Sequence, residues 1–538
     1  MLFRSKGSLT LDGDLLPGVT GTNSGAPSST FQLGNQAADG NNTVSATGSF
    51  NSACNVLEGS YTLTGDNTGS GNYTITTHTQ VTLLDPIPTL AAGIGASFAL
   101  DASPSDMSTG GTPVTGVAAD GVANLIIRIT NLPTSDSQVT INVFNDQNVL
   151  STDVTEDGGL AQTGTYTAFN SELPVSLTVN TQQEGGSNMA FAVYVPPIDY
   201  ARLNDTDDYE SVDREVTLQV LDSNGNKLVT PATTITIFRP PVFLVHGVWS
   251  DGGTWNQFLV GLKGLVIGLQ PCVADYKGSN GGTVSYNTGI VLPQALNCLR
   301  EFKKSQNAAA GQLDFIVHSM GGLISNNMWN FPGLFLAETT YGAGYIHKLI
   351  TIDTPYYGSP LAQYLGASNP DCKAFMTKAG FVVGGAITDL TPNSVALNGL
   401  YPLPSLYYKH AISGQLSPLQ GGVADTAVEN LVPFTPCTSV FDSGFTQTGS
   451  FAPSFDITAY FGVGDPTYNG ANDMIVSVYS QLGPLQNYSN SITGYAHLSL
   501  VPPILPIGIP GVLDQASPNP GMAVKLLNYQ VSNPAFLH

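Results

Sequence analysis

The chain has 538 residues, more than one ordinary domain holds and enough for two to four. Hydrophobic residues make up 42%, so large cores can be built, while charged residues are 10% and the formal net charge is −22. That acidic balance argues against nucleic acid or an anionic membrane as a partner, and its plainest reading is solubility.

The start, Met1-Leu2-Phe3-Arg4-Ser5-Lys6, has no apolar stretch long enough for a signal peptide. No run approaches the ~20 apolar residues of a transmembrane segment. Residues 1 to about 238 are rich in Thr, Ser, Asn and Gly, with short alternating strands between turn signals. Tyr61-Thr62-Leu63 and Tyr73-Thr74-Ile75 flank the Gly65-Asp66-Asn67 turn. Leu125 to Ile129, Val139-Ile141-Val143 and Phe191-Val193-Val195 follow. Val216-Leu218-Val220 and Leu228-Val229 read as a hairpin through Asn224-Gly225. The expected division is a small β module over 1–85 and a β-sandwich over 86–238. Modules of this composition with little lysine point to an extracellular or cell-surface location. They would serve to attach the chain to an insoluble substrate or a cell surface, or act as a spacer.

Asp205, Asp207, Asp208, Glu210 and Asp213 cluster in one loop of this region. A structural calcium ion takes several oxygen ligands from such a loop, but the EF-hand spacing is absent, and a solvated acidic loop is the favoured reading. No C-x-x-C or His-rich metal spacing occurs, so no cofactor is expected. Of five cysteines, Cys272 pairs naturally with Cys298 and Cys372 with Cys437, leaving Cys54; reduced buried thiols are the alternative.

After the stiff Arg239-Pro240-Pro241 hinge, strands alternate with helices. Val242 to Val245 is fully apolar, as suits a strand buried on both faces. A helix is expected over 255–269, a short strand over 273–276 and a helix over 290–304. A strand over 313–317, a helix from about 322 and a strand over 348–352 follow. This alternation predicts a doubly wound, mostly parallel sheet over 239–538.

Val317-His318-Ser319-Met320-Gly321 joins the strand Phe315-Ile316-Val317 to a Gly-rich helix start. A serine on so sharp a strand-to-helix turn presents its hydroxyl at the sheet end, as in a nucleophile elbow, although Val317 stands where G-x-S-x-G has its first glycine. A serine hydroxyl needs a base, a group that orients the base, and donors for the oxyanion. Of the later histidines, His538 is terminal, while His347 and His410 sit in strands. His497 lies in a loop before an apolar segment and is the expected base. The acid is Asp473, ahead of Met474 to Ser477, in preference to Asp465 in a Gly-Asp-Pro turn. Backbone N–H groups of Met320, after the nucleophile, and Val248, after the first strand, are the expected oxyanion donors.

Five ordered phrases carry a family resemblance: Val245-His246-Gly247-Val248, Val317 to Gly322, Thr351 to Pro360, Asn472 to Ser477, and His497-Leu498. They resemble the bacterial lipase and esterase branch of the α/β-hydrolase superfamily. The sandwich resembles bacterial immunoglobulin-like domains, as in Ala118 to Ala123. The resemblance implies a serine carboxylic-ester hydrolase with Ser319, Asp473 and His497 as triad and an ester or lipid substrate. Asp353 stands where a Gly is common in these lipases. Part of 360–455, with apolar patches near 381–386 and 400–404, is expected to form a lid or an insertion packed on the sheet. Two alternatives are an extracellular aliphatic polyester depolymerase, held on its substrate by the β modules, and a non-catalytic hydrolase-like binding protein.

Overall fold

The computed structural model describes strands within residues 6–87, then 104–184, 187–202, 214–229, 232–265, 268–331, 337–359, 370–378, 382–400, 408–415, 475–485, 489–493, 511–514 and 519–528, with residues 362, 365, 473, 495 and 497. The acidic loop at 205–213, Asp465 and His538 lie outside the described residues, as do Cys54, Cys437 and the side chain of Cys372.

Near the N-terminus, Lys6–Leu11 pairs with Asp14–Thr20, and a four-stranded antiparallel meander runs from Thr30 to Thr76. Two further sheets then face each other as a sandwich. One runs in the order Gly159–Gln162, Ser187–Val195, Leu125–Thr130, Gln80–Asp85, Thr112–Pro113. The other orders Ser176–Asn180, Gln138–Phe144, Arg214–Leu221, Thr233–Phe238, Gly116–Ala118, Ala308–Ala309. Their alternation is what the sequence demands. Val139, Ile141 and Val143 turn inward while their neighbours stay partly exposed, and Val216, Leu218 and Val220 do the same one strand over. Each such buried side chain contributes about 1.5–3 kcal/mol.

Two strands lie across the expected divisions, and one expected hairpin is short. Gln80–Asp85 was expected to close the first module, yet it pairs with Leu125–Thr130 inside the sandwich sheet. The expected hairpin through Asn224-Gly225 forms, Leu221 and Lys227 making an antiparallel bridge and Leu228 N–H donating to Val220 O at 2.9 Å, although Leu228-Val229 does not extend it as a strand. Asp222 holds the Asn224-Gly225 turn through its carboxylate, and the chain returns as Thr233–Phe238 to pair with Arg214–Leu221. Ala308–Ala309, far beyond the hinge, pairs in parallel with Gly116–Ala118. The sandwich sheet is therefore completed by residues of the following region.

Among the described residues, that region holds a sheet of six parallel strands. In chain order its elements are β1 (Val242–Val245), α1 (Asn256–Leu265), β2 (Pro271–Val273), α2 (Val284–Gln306), β3 (Leu313–His318), α3 (Met320–Asn327), β4 (Ile346–Ile352), β5 (Tyr408–Gln415), β6 (Ser489–Thr493) and α4 (Asn519–Asn528). The strand order is β2-β1-β3-β4-β5-β6. Successive residues of each strand serve opposite faces. Phe243, Val245, Phe315, Val317 and Leu349 pack with α2 and α3. Val242, Leu244, Ile316 and Ile350 pack with Phe258 and Leu262 of α1 and with Val524 and Leu527 of α4. Because both faces are covered, β1 is apolar throughout and β3 carries the apolar run Phe315-Ile316-Val317. The interval 360–455 supplies β5 to this sheet, so at least that stretch is core and not cover. Cys272, at the edge strand β2, is disulfide-bonded to Cys298 of α2.

Candidate active site

The turn between β3 and α3 is built around Ser319, whose backbone sits at φ 55°, ψ −129°. A non-glycine residue there costs of order 1–3 kcal/mol and must be held by its surroundings. The Ser319 N–H donates to Ile352 O at 2.9 Å, tying the turn to β4. Two glycines allow the close approach. A Cβ on Gly321 would lie 2.4 Å from Val245 O, and one on Gly247 would lie 2.7 Å from the Ser319 Cβ. Val317 needs no such freedom, because it is an interior strand residue whose side chain is fully buried beneath α2 and α3.

The sequence-selected residues converge here. The Ser319 hydroxyl stands 2.9 Å from His497 Nε2, and His497 Nδ1 stands 2.7 Å from Asp473 Oδ2. Asp473 is itself fixed, its Oδ1 accepting from the N–H groups of Ile475 at 2.9 Å and Val476 at 2.7 Å. The backbone of the two loops is joined as well, His497 N–H donating to Asp473 O at 3.1 Å. All three side chains are buried. Val248 lies in the turn after β1 and lines the cleft beside Ser319, and Met320 is the first residue of α3. His347 and His410 are elsewhere. The first pairs with Asp314 at 2.7 Å and the second with Asn490 at 2.7 Å.

Two neighbours of the imidazole were not assigned a role from the sequence. His318 packs its ring 4.7 Å from that of His497. Among the described residues neither of its nitrogens has a hydrogen-bond partner, and burial holds its pKa well below the usual imidazole range, so it is neutral. Asp353, at the end of β4, places Oδ2 3.8 Å from His497 Nδ1 and accepts the Gly414 N–H on Oδ1 at 2.6 Å. Burial first, and the Asp473 charge second, push its pKa well above the carboxylate range. Its φ of 51° is a left-handed value that favours glycine, the residue the sequence resemblance leads one to expect here. That substitution was the one sequence signal pointing to it.

Among the described residues, His318, Asp353 and His497 bring potential metal-ligand atoms within 4.8 Å of one another. His497 is already engaged on both nitrogens, so an ion there would withdraw it from Ser319 and Asp473.

Above Ser319 opens a cleft of about 540 Å³, part of it open to solvent, walled by Val248, Trp249, Ala362, Leu365, Ile387, Leu390, Ile475 and Val476. Its walls are apolar and its floor carries the hydroxyl and imidazole. Such a site suits an uncharged, hydrocarbon-bearing ligand with one reacting polar group. Ile387 and Leu390 come from the Gly385–Asp389 helix and its end, and Trp249 Nε1–H donates to Val382 O at 2.8 Å, fastening this segment beside the cleft.

No family model matches the chain, and no curated relative matches its sequence. Among solved structures, the mature form of Bacillus licheniformis lipase BlEst2 aligns with 53% of this chain and 91% of its own, at 15% identity and a TM-score of 0.30. Its propeptide form aligns over 54% and 50%, at 15% identity and 0.32. Aspergillus fumigatus lipase B aligns over 33% and 37%, at 13% identity and 0.23. At these values the likeness is slight.

Proposed function

We propose that the chain is a serine carboxylic-ester hydrolase of lipase or esterase type, an α/β-hydrolase region fused to an immunoglobulin-like sandwich. The observation that carries this reading is the unbroken series Ser319 Oγ, His497 Nε2, His497 Nδ1, Asp473 Oδ2, with gaps of 2.9 and 2.7 Å, at the floor of an apolar cleft.

Ser319 Oγ attacks the ester carbonyl carbon while its proton passes to His497 Nε2. Asp473 fixes the tautomer with the hydrogen on Nδ1 and stabilises the imidazolium that forms. The oxyanion receives the N–H groups of Val248 and Met320, the latter at the positive end of α3. Collapse breaks the bond to the alcohol oxygen, which takes the proton from Nε2, and leaves the acyl group on Ser319. Water then attacks, His497 accepting its proton and returning it to Ser319 as the carboxylic acid departs. The cleft walls take the acyl chain, and no step requires a metal or organic cofactor. An extracellular or cell-surface location is supported by the Cys272–Cys298 bridge, since disulfides persist in oxidising compartments.

The test is turnover of p-nitrophenyl esters together with labelling by a fluorophosphonate. The native chain is expected to hydrolyse the esters and to be labelled at Ser319. Ser319→Ala is expected to abolish labelling and reduce kcat by about 10⁴-fold or more. Undiminished turnover by Ser319→Ala would overturn the reading.

A further inference from the structure

We propose that Asp353 is a second acid of this relay, a positioning residue that shares one proton with Asp473 and takes over the orientation of His497 when Asp473 is neutralised. The inference rests on the reading of Ser319 and His497 given above.

The geometry points two carboxyls at one nitrogen. Asp473 arrives from the loop before Val478–Leu482 and Asp353 from the end of β4, with Oδ2 atoms 2.7 and 3.8 Å from the same Nδ1. Both carboxyls are fully buried. Among the described residues, His497 is the ion-pairing partner of each, and the other titratable group beside them, His318, is neutral. Two adjacent carboxylates out of water that share one imidazole nitrogen cannot both stay ionised, so the pair retains a proton.

Hydrogen bonding decides where it resides. Asp473 spends Oδ1 on two backbone N–H groups and Oδ2 on the imidazole. Asp353 spends Oδ1 on Gly414 N–H, while its Oδ2 has no donor among the described residues. The proton therefore belongs on Asp353 Oδ2, within reach of Asp473. The pair carries one negative charge, which balances the imidazolium of the transition state. Replacing Asp473 by Asn removes the competing charge, and Asp353 then ionises and accepts the Nδ1 hydrogen itself. The backbone is adapted to this arrangement. Asp353 occupies a left-handed conformation that ordinarily favours glycine, and a Cβ on Gly414 would come within 3.0 Å of Asp353 Oδ2.

The experiment is a double-mutant cycle on kcat/KM for a soluble nitrophenyl ester, with Asp353→Asn, Asp473→Asn and the double variant, folding being checked by thermal melts. Removing a sole orienting acid costs about 10⁴-fold. With Asp353 in reserve, Asp473→Asn is expected to lose only about 10²-fold, and the double variant about 10⁴-fold. Asp353→Asn is thus expected to cost at least about ten times more in the Asp473→Asn background than in the native one. In Asp473→Asn the residual rate should also gain an acid limb as Asp353 protonates, a readout that a purely structural role would not move. Equal cost in both backgrounds overturns the proposal. If the double variant does not fold, the acid limb of Asp473→Asn decides, its presence supporting the proposal and its absence overturning it. Fluorophosphonate labelling separates the two readings. Ser319 labelled with an additive cycle removes this proposal alone, whereas an unlabelled Ser319 removes the hydrolase reading and this proposal with it.

Discussion

Lys303 Nζ lies 2.7 Å from Asp85 Oδ2, and each of these side chains is 2% exposed. Lys303 belongs to α2 and Asp85 to a sandwich strand, so a buried ion pair joins the two regions. It is not alone. Lys348 of β4 pairs with Asp199 at 2.7 Å, and Asp120 accepts the N–H groups of Gly311 at 2.7 Å and Gln312 at 3.0 Å. The sandwich is thus part of the packing of the parallel-sheet region, which is more than a flexible spacer would show.

Removing one partner of a buried pair leaves an uncompensated charge and costs about 3–5 kcal/mol. Lys303→Met is expected to lose stability on that scale, read as a lowered urea midpoint. A chain beginning at Pro240 removes the carboxylate partners of Lys303 and Lys348 together, and should be insoluble or fail to melt cooperatively.

His347 carries a pH signal. Its Nε2 faces Ile198 O at 2.9 Å, a group that only accepts, and its Nδ1 faces Asp314 at 2.7 Å. Burial works against the imidazolium, but the Asp314 charge and hydrogen bond outweigh it and the pKa is raised. The stabilisation is fully present below the unfolded value of about 6.5 and is lost as pH rises through the raised folded value. Within that window stability should fall by up to about 1.4 kcal/mol per pH unit, and His347→Gln should flatten that part of a stability–pH curve.

Gly321→Ala forces a Cβ to within 2.4 Å of Val245 O and 2.8 Å of His246 O. The strand-to-helix turn must then shift against the turn bearing Val248. Displacement on the scale of 1 Å costs about 10²-fold in rate, so kcat should drop by that order while the melting temperature moves by a few degrees.

Leu390→Trp narrows the cleft at its wall. The expected result is a selective loss, at least about tenfold in kcat/KM for dodecanoate over butyrate nitrophenyl esters, because added bulk excludes methylenes worth ~0.8 kcal/mol each. Comparison of the two esters in one assay checks this.

The parallel sheet was legible because continuous apolar runs such as Val242 to Val245 and Phe315 to Val317 have few other uses. Ser319, His497 and Asp473 could be picked out because each sits in a short local phrase, and Ser319 and Asp473 stand within hydrogen-bond reach of opposite nitrogens of His497. Asp353 carried only a local oddity, an Asp where glycine is common. Its meaning depends on Asp473, 120 positions away, and on Gly414, and no window of sequence contains that encounter. The same holds for Gln80–Asp85 and Ala308–Ala309. Their patterns say strand, but the choice of sheet is made by tertiary packing.

The pairing of Ala308–Ala309 with Gly116–Ala118 also sets an order of events during synthesis. Asp120 must wait for Gln312, which emerges 192 residues later. At about 5–20 residues per second the ribosome needs roughly 10 to 40 s to deliver it. For that interval the first core stands with an open border, exposed to chaperones and to other nascent chains. The two cores cannot mature one after the other as beads on a string; the earlier is finished only by the later.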